Sequence, residues 1–213
     1  MNPTNTRVQR LKSGSLSRRE SGKTELKRQI LEAALVLFQT HGYEGFSLRQ
    51  VAEAIGYSPT TIYLYFKDKD ELLLTVALEG FKEFGAALQA AYLEPNSAVE
   101  RIKAIGLAYL HFGLSHPLQY RLMFMQRSEF LVEPLEGYVS FQDSFGVIVR
   151  AIEDGIKSGK LRPLEPRALA ALLWSAVHGV VSLALSTEHF PAAQAENLFR
   201  WHMNILEREY AID

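Results

Sequence analysis

Residues 47–66, SLRQVAEAIGYSPTTIYLYF, limit the possible folds more than any other stretch of this 213-residue chain. Ser47 and Gln50, three residues apart, form a capping-box pair. Leu48, Val51, Ala52 and Ile55 then share one helical face until Gly56 ends the pattern. Ser58 caps a second helix, with Pro59 at its first position, where a missing N–H costs nothing. Ile62 and Phe66, four apart, face inward, which leaves Thr60, Thr61, Tyr63 and Leu64 facing outward. Two short capped helices joined by a tight turn are the sequence form of a helix-turn-helix, in which the second helix enters the major groove of DNA.

The flanking residues continue the helical pattern. Leu26, Ile30, Ala33, Ala34, Leu37 and Phe38 recur at helical spacing, with Thr24 placed to cap the start and Gly42 to end it. Asp68 with Glu71 caps a fourth helix running through Leu72, Leu73, Val76, Ala77, Phe81 and Phe84. Further segments near 97–114, 116–127, 136–158, 165–186 and 191–210 carry the 3.6-residue period or are almost continuously apolar. In 136–158, Tyr138, Phe141, Phe145, Ile148, Ile152 and Ile156 step by three or four. Pro95, Pro117, Pro134, Pro163, Pro166 and Pro191 fall at or near the breaks. With no strand alternation and no internal repeat, the expectation is an all-α chain of about nine helices.

The net charge of −1 hides an asymmetry. Residues 1–69 hold 11 Lys and Arg against 6 Asp and Glu, a net +5, and the remainder is net −6. A basic amino-terminal third places the attraction for polyanions at one end. Residues 1–22 are polar, with Arg7, Arg10, Lys12, Arg18 and Arg19, and are expected to be a disordered basic arm in isolation. Such an arm fits phosphates or a minor groove as readily as it fits bulk solvent.

Several function classes lack a signature. The absence of cysteine excludes disulfides and thiolate zinc sites. The six histidines form no i, i+4 pair and no H-E-x-x-H, so no metal is expected. No G-x-S-x-G and no phosphate loop is present, so neither an enzyme nor a cofactor is expected. The N-terminus has no apolar signal core, which fits a cytoplasmic protein. Residues 168–185 carry no formal charge, near the lower limit for a membrane span. Ser175, His178, Gly179 and Ser182 interrupt them, so a helix buried on its own domain and on a partner subunit is expected instead of a membrane segment.

On that helix Leu172, Val180 and Leu183 are candidate interface positions. Leu198, Trp201, His202, Ile205 and Leu206 share a face of the last helix. Two such helices from each of two subunits would form a four-helix homodimer interface, and DNA half-site symmetry favours a dimer.

The outward residues of the second motif helix suit DNA. Thr60 and Thr61 offer hydroxyls and thymine-directed methyls, Tyr63 a phosphate hydrogen bond, and Leu64 an apolar contact with the groove wall. Tyr65 fits an inward or an outward position equally. Ser47 and Lys69, at the starts of the brace helix and the fourth helix, are phosphate-clamp candidates, with Arg49 and Lys67 as weaker ones.

Residues 24–84 resemble the DNA-binding domain of the TetR/AcrR family of transcriptional regulators. The run ILEAALVLFQTHGYEGFSLRQVAEAIGYSPTTIYLYFKDKDELL carries the A-x-x-L-F-x-x-x-G-Y, S-x-x-x-V-A-x-x-x-G and I-Y-x-x-F-x-x-K-x-x-L spacings. The resemblance implies phosphate contacts from Tyr63 and Lys69 and groove contacts from Ser58, Thr60 and Thr61. Thr60 stands where Gly or Ala is frequent, and Leu64-Tyr65 where a His is common. Trp174-Ser-Ala-Val-His178-Gly179, preceded by Gly159-Lys-Leu-Arg162-Pro163, resembles the W-H-G signature of one group of TetR-type sensor domains.

After the basic arm over 1–22, the resemblance implies a helix-turn-helix domain over 23–70 and a ligand-binding and dimerisation domain over 71–213. It places a ligand cavity between the fourth helix and the later ones. Tyr109, Phe112, Tyr120, Met123, Phe124, Phe141, Phe145, Trp174 and His178 are the candidate lining residues, each with plain core packing as its alternative. Their aromatic density points to a small hydrophobic or aromatic ligand. The expected function is a ligand-released repressor that binds a palindromic operator in double-stranded DNA as a homodimer. The alternative is a helix-turn-helix adaptor that binds protein and takes no ligand.

Overall fold

A computed structural model describes residues 3–94, 97–125 and 141–212, with side chains from Glu20 onward and, in the third stretch, from Asp143. The described residues are all-α, with no strand beyond an isolated antiparallel bridge between Leu161 and Ala211. The helices are α1 (Pro3–Gly45), α2 (Leu48–Ala54), α3 (Pro59–Tyr63), α4 (Lys69–Leu93), α5 (Ala98–Ser115), α6 (Pro117–Tyr120), α7 (Phe141–Lys157), α8 (Pro166–Ser186) and α9 (Ala192–Tyr210). A π-helical turn, Arg121–Met125, follows α6 where a plain helix was expected.

The chain divides into two compact units, Met1–Val76 and Ala77–Asp213. The core of the first includes Ile30, Ala34, Phe38, Phe46, Val51, Ala52, Ile62 and Phe66. Phe38 and Phe46 meet edge to face at 6.1 Å. Leu72, Leu73 and Val76, in the first turns of α4, are also buried, and the division falls after them.

Local chemistry explains where these helices begin and end. Gly42, inside the bounds of α1, has φ 69° and ψ −178°, which breaks the winding near the expected end. Thr24 does not cap α1. The helix starts at Pro3, and the Thr24 hydroxyl donates back to the Glu20 carbonyl at 3.0 Å, as an interior threonine does. The segment expected to be an arm is thus continuous with α1.

The turn after α2 closes as a Schellman motif. The Tyr57 N–H donates to the Ala52 carbonyl (2.9 Å) and the Gly56 N–H to that of Glu53 (3.1 Å), with Gly56 at φ 72°. Asp68 caps α4 by accepting from the Glu71 N–H at 2.8 Å, and the Glu71 carboxylate reaches back to the Lys67 N–H at 2.8 Å.

The second unit packs its helices around Phe84, Tyr109, Leu110, Tyr120, Ile152, Val181 and Phe199. α8 is long and apolar enough to cross a membrane by length and composition, and a third of its most apolar window is buried in the chain. Gly113 lets α5 approach α8, since a Cβ there would lie 2.5 Å from Val181. Gly179, by contrast, has open space where its Cβ would stand, so its place beside His178 is not dictated by packing within this chain.

Candidate DNA-reading face and ligand cavity

The motif helices are held by the predicted caps. The Ser47 hydroxyl accepts from the Gln50 N–H (3.4 Å) and donates to Gln50 Oε1 (2.9 Å). Ser58 accepts from the Thr61 N–H at 3.2 Å, and its hydroxyl lies 2.9 Å from that of Thr61. One proton joins these two hydroxyls, which leaves the other proton of the pair available outward. Ile62 and Phe66 are buried as their spacing requires, and Tyr65 is half-buried. Thr60 and Arg49 are exposed. Tyr63 is 53% exposed and Leu64 79%. At that exposure Leu64 adds little to the chain's own core.

Lys69 is not a freely extended cation. Its ammonium donates to the Tyr43 carbonyl at 2.7 Å and lies 3.9 Å from the centre of the Tyr43 ring. The Tyr43 hydroxyl donates to Asp70, and that bond pushes the phenol up to about 12. Sequence reasoning missed Tyr43, although it belongs to the G-Y step of the quoted spacing. An ammonium has three donors, so Lys69 can keep this carbonyl and still meet a phosphate.

In the second unit, a cavity of about 40 Å³ lies among α4, α5, α7, α8 and α9. Tyr109, Phe145 and Trp174 line it as expected. Phe112, Tyr120, Met123, Phe124 and His178 do not. Phe112 tilts against Phe84 (5.1 Å) and Phe124 against Tyr120 (4.8 Å), and Tyr120 stacks on His178 (5.7 Å), so these rings fill space against one another beside the cavity. The side chain of Phe141 lies outside the described residues. Ile102, Ile105, Leu173, Val177, Phe199, Met203 and Ser144 were missed. The signal for several was present as i, i+4 apolar pairs, Phe199 with Met203 and Leu173 with Val177, but aromatic density drew attention elsewhere.

A hydrogen-bonded row joins cavity and aromatic cluster. Trp174 Nε1 donates to the Tyr109 hydroxyl (3.2 Å), which lies 2.9 Å from that of Tyr120, which in turn lies 2.6 Å from His178 Nδ1. The Tyr109 hydroxyl also lies 3.2 Å from His178 Nδ1. Indole only donates, so Tyr109 accepts from Trp174. Either Tyr109 donates to Tyr120 and Tyr120 to His178 Nδ1, or Tyr120 donates to Tyr109 and Tyr109 to His178 Nδ1; both arrangements place the imidazole proton on Nε2. Burial lowers the pKa of His178 from 6.5 and keeps the ring neutral, and it pushes Tyr109 up to about 12 and Tyr120 further up.

The candidate interface residues divide. Trp201 (72%), Ile205 (64%), Leu172 and Leu183 are exposed on α9 and α8. Val180, at 1% exposure, is taken up by the chain's own core, and Leu198 is half-buried against it. Val180 therefore does not belong to the outer face, because the register of α8 turns it inward.

Known proteins agree with this architecture. The profile of the tetR family of bacterial regulatory proteins matches residues 30–76, and the Tetracyclin repressor-like C-terminal domain matches residues 102–206. The chain belongs to the TetR family. It is therefore a helix-turn-helix transcriptional regulator. The HTH-type transcriptional regulator RutR of Escherichia coli K12 is 29% identical over 184 residues, covering 83% of this chain and 82% of that protein. The HTH-type transcriptional repressor AcnR of Corynebacterium glutamicum is 37% identical over 82 residues, 38% of this chain and 41% of that protein. A crystal structure of a tetR-family regulatory protein from Rhodococcus RHA1 shares the fold, with a TM-score of 0.72 at 22% identity, covering 88% of this chain and 98% of that one.

Proposed function

We propose that this TetR-family regulator is a cytoplasmic, ligand-released repressor that binds a palindromic operator as a homodimer. In this reading residues 1–22 form a basic arm, 23–70 the DNA-binding domain and 71–213 the ligand-binding and dimerisation domain. The observation that carries DNA reading is the outward strip of α3, where Tyr63 and Leu64 stay exposed while Ile62 and Phe66 hold the helix down. Ser58, Thr60, Thr61 and Leu64 touch the groove. Ser47, Tyr63 and Lys69 meet phosphates, with Arg49 a weaker contact. Ser47 keeps α2 in place through its cap.

The dimer forms through the exposed residues of α8 and α9, Leu172, Leu183, Trp201 and Ile205, and sets two recognition helices about 34–36 Å apart. Phe84 and Leu88 of α4 line the cavity, and Lys69 begins the same helix. Ligand that displaces Phe84 thus acts on an element containing a DNA contact. It releases DNA in proportion to its preference for the displaced state.

The test is fluorescence anisotropy on DNA flanking the protein's own gene at two salt concentrations. Tyr63→Phe and Lys69→Ala are expected to weaken binding with the dimer intact, and Lys69→Ala to lower the salt slope by about 1. Unchanged affinity in both variants overturns the contact assignment. Absence of binding to any flanking DNA favours the protein-binding adaptor.

A further inference from the structure

The cavity has a chemical bias that narrows its ligand, an inference resting on the reading that this cavity is the ligand site. None of the described residues lining it carries a charge. Its walls are aliphatic and aromatic side chains, and Tyr109 and Trp174 turn their polar atoms to each other at 3.2 Å. Ser144 on α7 breaks this pattern. It is 1% exposed, it lines the cavity, and among the described residues its hydroxyl has no hydrogen-bond partner. Buried hydroxyls are nearly always paired, with the chain, with water or with a ligand.

We propose that the cavity selects a neutral, largely apolar molecule carrying a single hydrogen-bonding group, and that Ser144 is the residue that recognises that group. A carboxylate or ammonium would be buried without a counter-charge and would be rejected. A molecule with several polar groups would leave most of them unpaired against hydrocarbon. A hydroxyl, carbonyl or ether oxygen placed at Ser144 gains the one bond the walls offer. The volume adds a second condition. About 40 Å³ holds a few water molecules, and small-molecule pockets run to roughly 300 Å³ and above. The ligand must therefore push its walls apart. Phe199 cannot retreat toward α5, where its ring already lies 2.8 Å from where a Gly106 Cβ would be.

Ligand-observed NMR titrations of the full chain with benzene, phenol and benzoate at pH 7 test this, using wild type, Ser144→Ala and Ile148→Trp. Ile148 lines the cavity from a half-buried position, so its enlargement fills the space without opening the centre of the core. In wild type, phenol is expected to bind at least as well as benzene, and benzoate to bind far more weakly. In Ser144→Ala the phenol-to-benzene affinity ratio falls about tenfold, the worth of one hydrogen bond. Ile148→Trp loses all binding. Ser144→Ala melts no lower than wild type, since the hydroxyl bonds nothing among the described residues. An unchanged ratio, benzoate binding as tight as phenol, or a lowered melting temperature in Ser144→Ala overturns the role of Ser144 and leaves the cavity as the ligand site. Failure of every probe on wild type, or binding that survives Ile148→Trp, overturns the cavity reading and the inference with it.

Discussion

The two sites of this chain are built in opposite ways. The reading face is local. Twenty consecutive residues supply two caps, a Schellman turn and an outward strip, and its decisive apolar residue, Leu64, is exposed. The cavity is non-local. Its walls come from five helices spread over more than a hundred residues, and Ser144, the polar residue proposed to read the ligand, is buried with no hydrogen-bond partner among the described residues. Each site breaks the burial rule in its own direction, one with an apolar group in water and the other with a hydroxyl in hydrocarbon. In the proposed function each departure is relieved by a partner, Leu64 by the groove wall and Ser144 by the polar group of a ligand.

The comparison can be broken most sharply at Ile62. Ile62→Asp buries an unpaired carboxylate in the first unit and is expected to cost about 3–5 kcal/mol, abolishing DNA binding while phenol binding in the second unit persists. Joint loss of both activities, in urea unfolding and NMR titration, would show that the units do not keep their sites separately. Tyr120→Phe is next. It removes the hydroxyl 2.6 Å from His178 Nδ1 and leaves that nitrogen the Tyr109 hydroxyl at 3.2 Å, at about 1 kcal/mol, read as a lower melting temperature of the second unit.

The same row makes that unit acid-sensitive. The folded state holds His178 below its ordinary pKa of 6.5, so the neutral ring contributes its full stability above that pH. The contribution is lost as pH falls through the lowered folded value. Melting between pH 7.5 and 5 should fall more steeply in wild type than in His178→Gln, and equal slopes would remove His178 from the account.

Ser58→Ala sharpens the contrast at about 1 kcal/mol, the usual worth of an N-cap, measured by urea unfolding. Leu64→Ala is expected to change stability by less than about 0.5 kcal/mol, while anisotropy reports a weaker DNA complex. A clear loss of stability in Leu64→Ala would show that this leucine packs on its own chain after all.

That difference in construction also explains how much could be read in advance. Ser47, Ser58, Asp68 and Gly56 act within a few residues, through hydrogen bonds whose partners lie at fixed offsets, so spacing alone locates them. The helical class and most helix limits follow from the same short-range rules. The cavity does not, because which faces of α5, α7, α8 and α9 meet depends on packing between distant segments. Tyr109, Phe145 and Trp174 were found and Ser144 was not, since aromatic rings announce bulk and a lone serine announces nothing. Thr24 was misread for a related reason, because whether a threonine starts a helix or sits inside it depends on what precedes it. Val180 was assigned outward because an uncharged helix does not reveal from composition which of its apolar faces is turned inward.

The hydrogen-bonded group of Trp174, Tyr109, Tyr120 and His178 also restricts how this sequence can drift. The indole can only donate, so it needs the Tyr109 oxygen, whereas His178 Nδ1 has two hydroxyls within reach, those of Tyr109 and Tyr120. A change at Tyr109 strands the indole proton, while a change at Tyr120 leaves His178 a donor. The neighbourhood of the cavity is thereby conservative in its polar atoms while its aliphatic walls remain free to exchange one hydrocarbon for another, which leaves new ligand shapes open to descendants of this chain and new ligand charges largely closed.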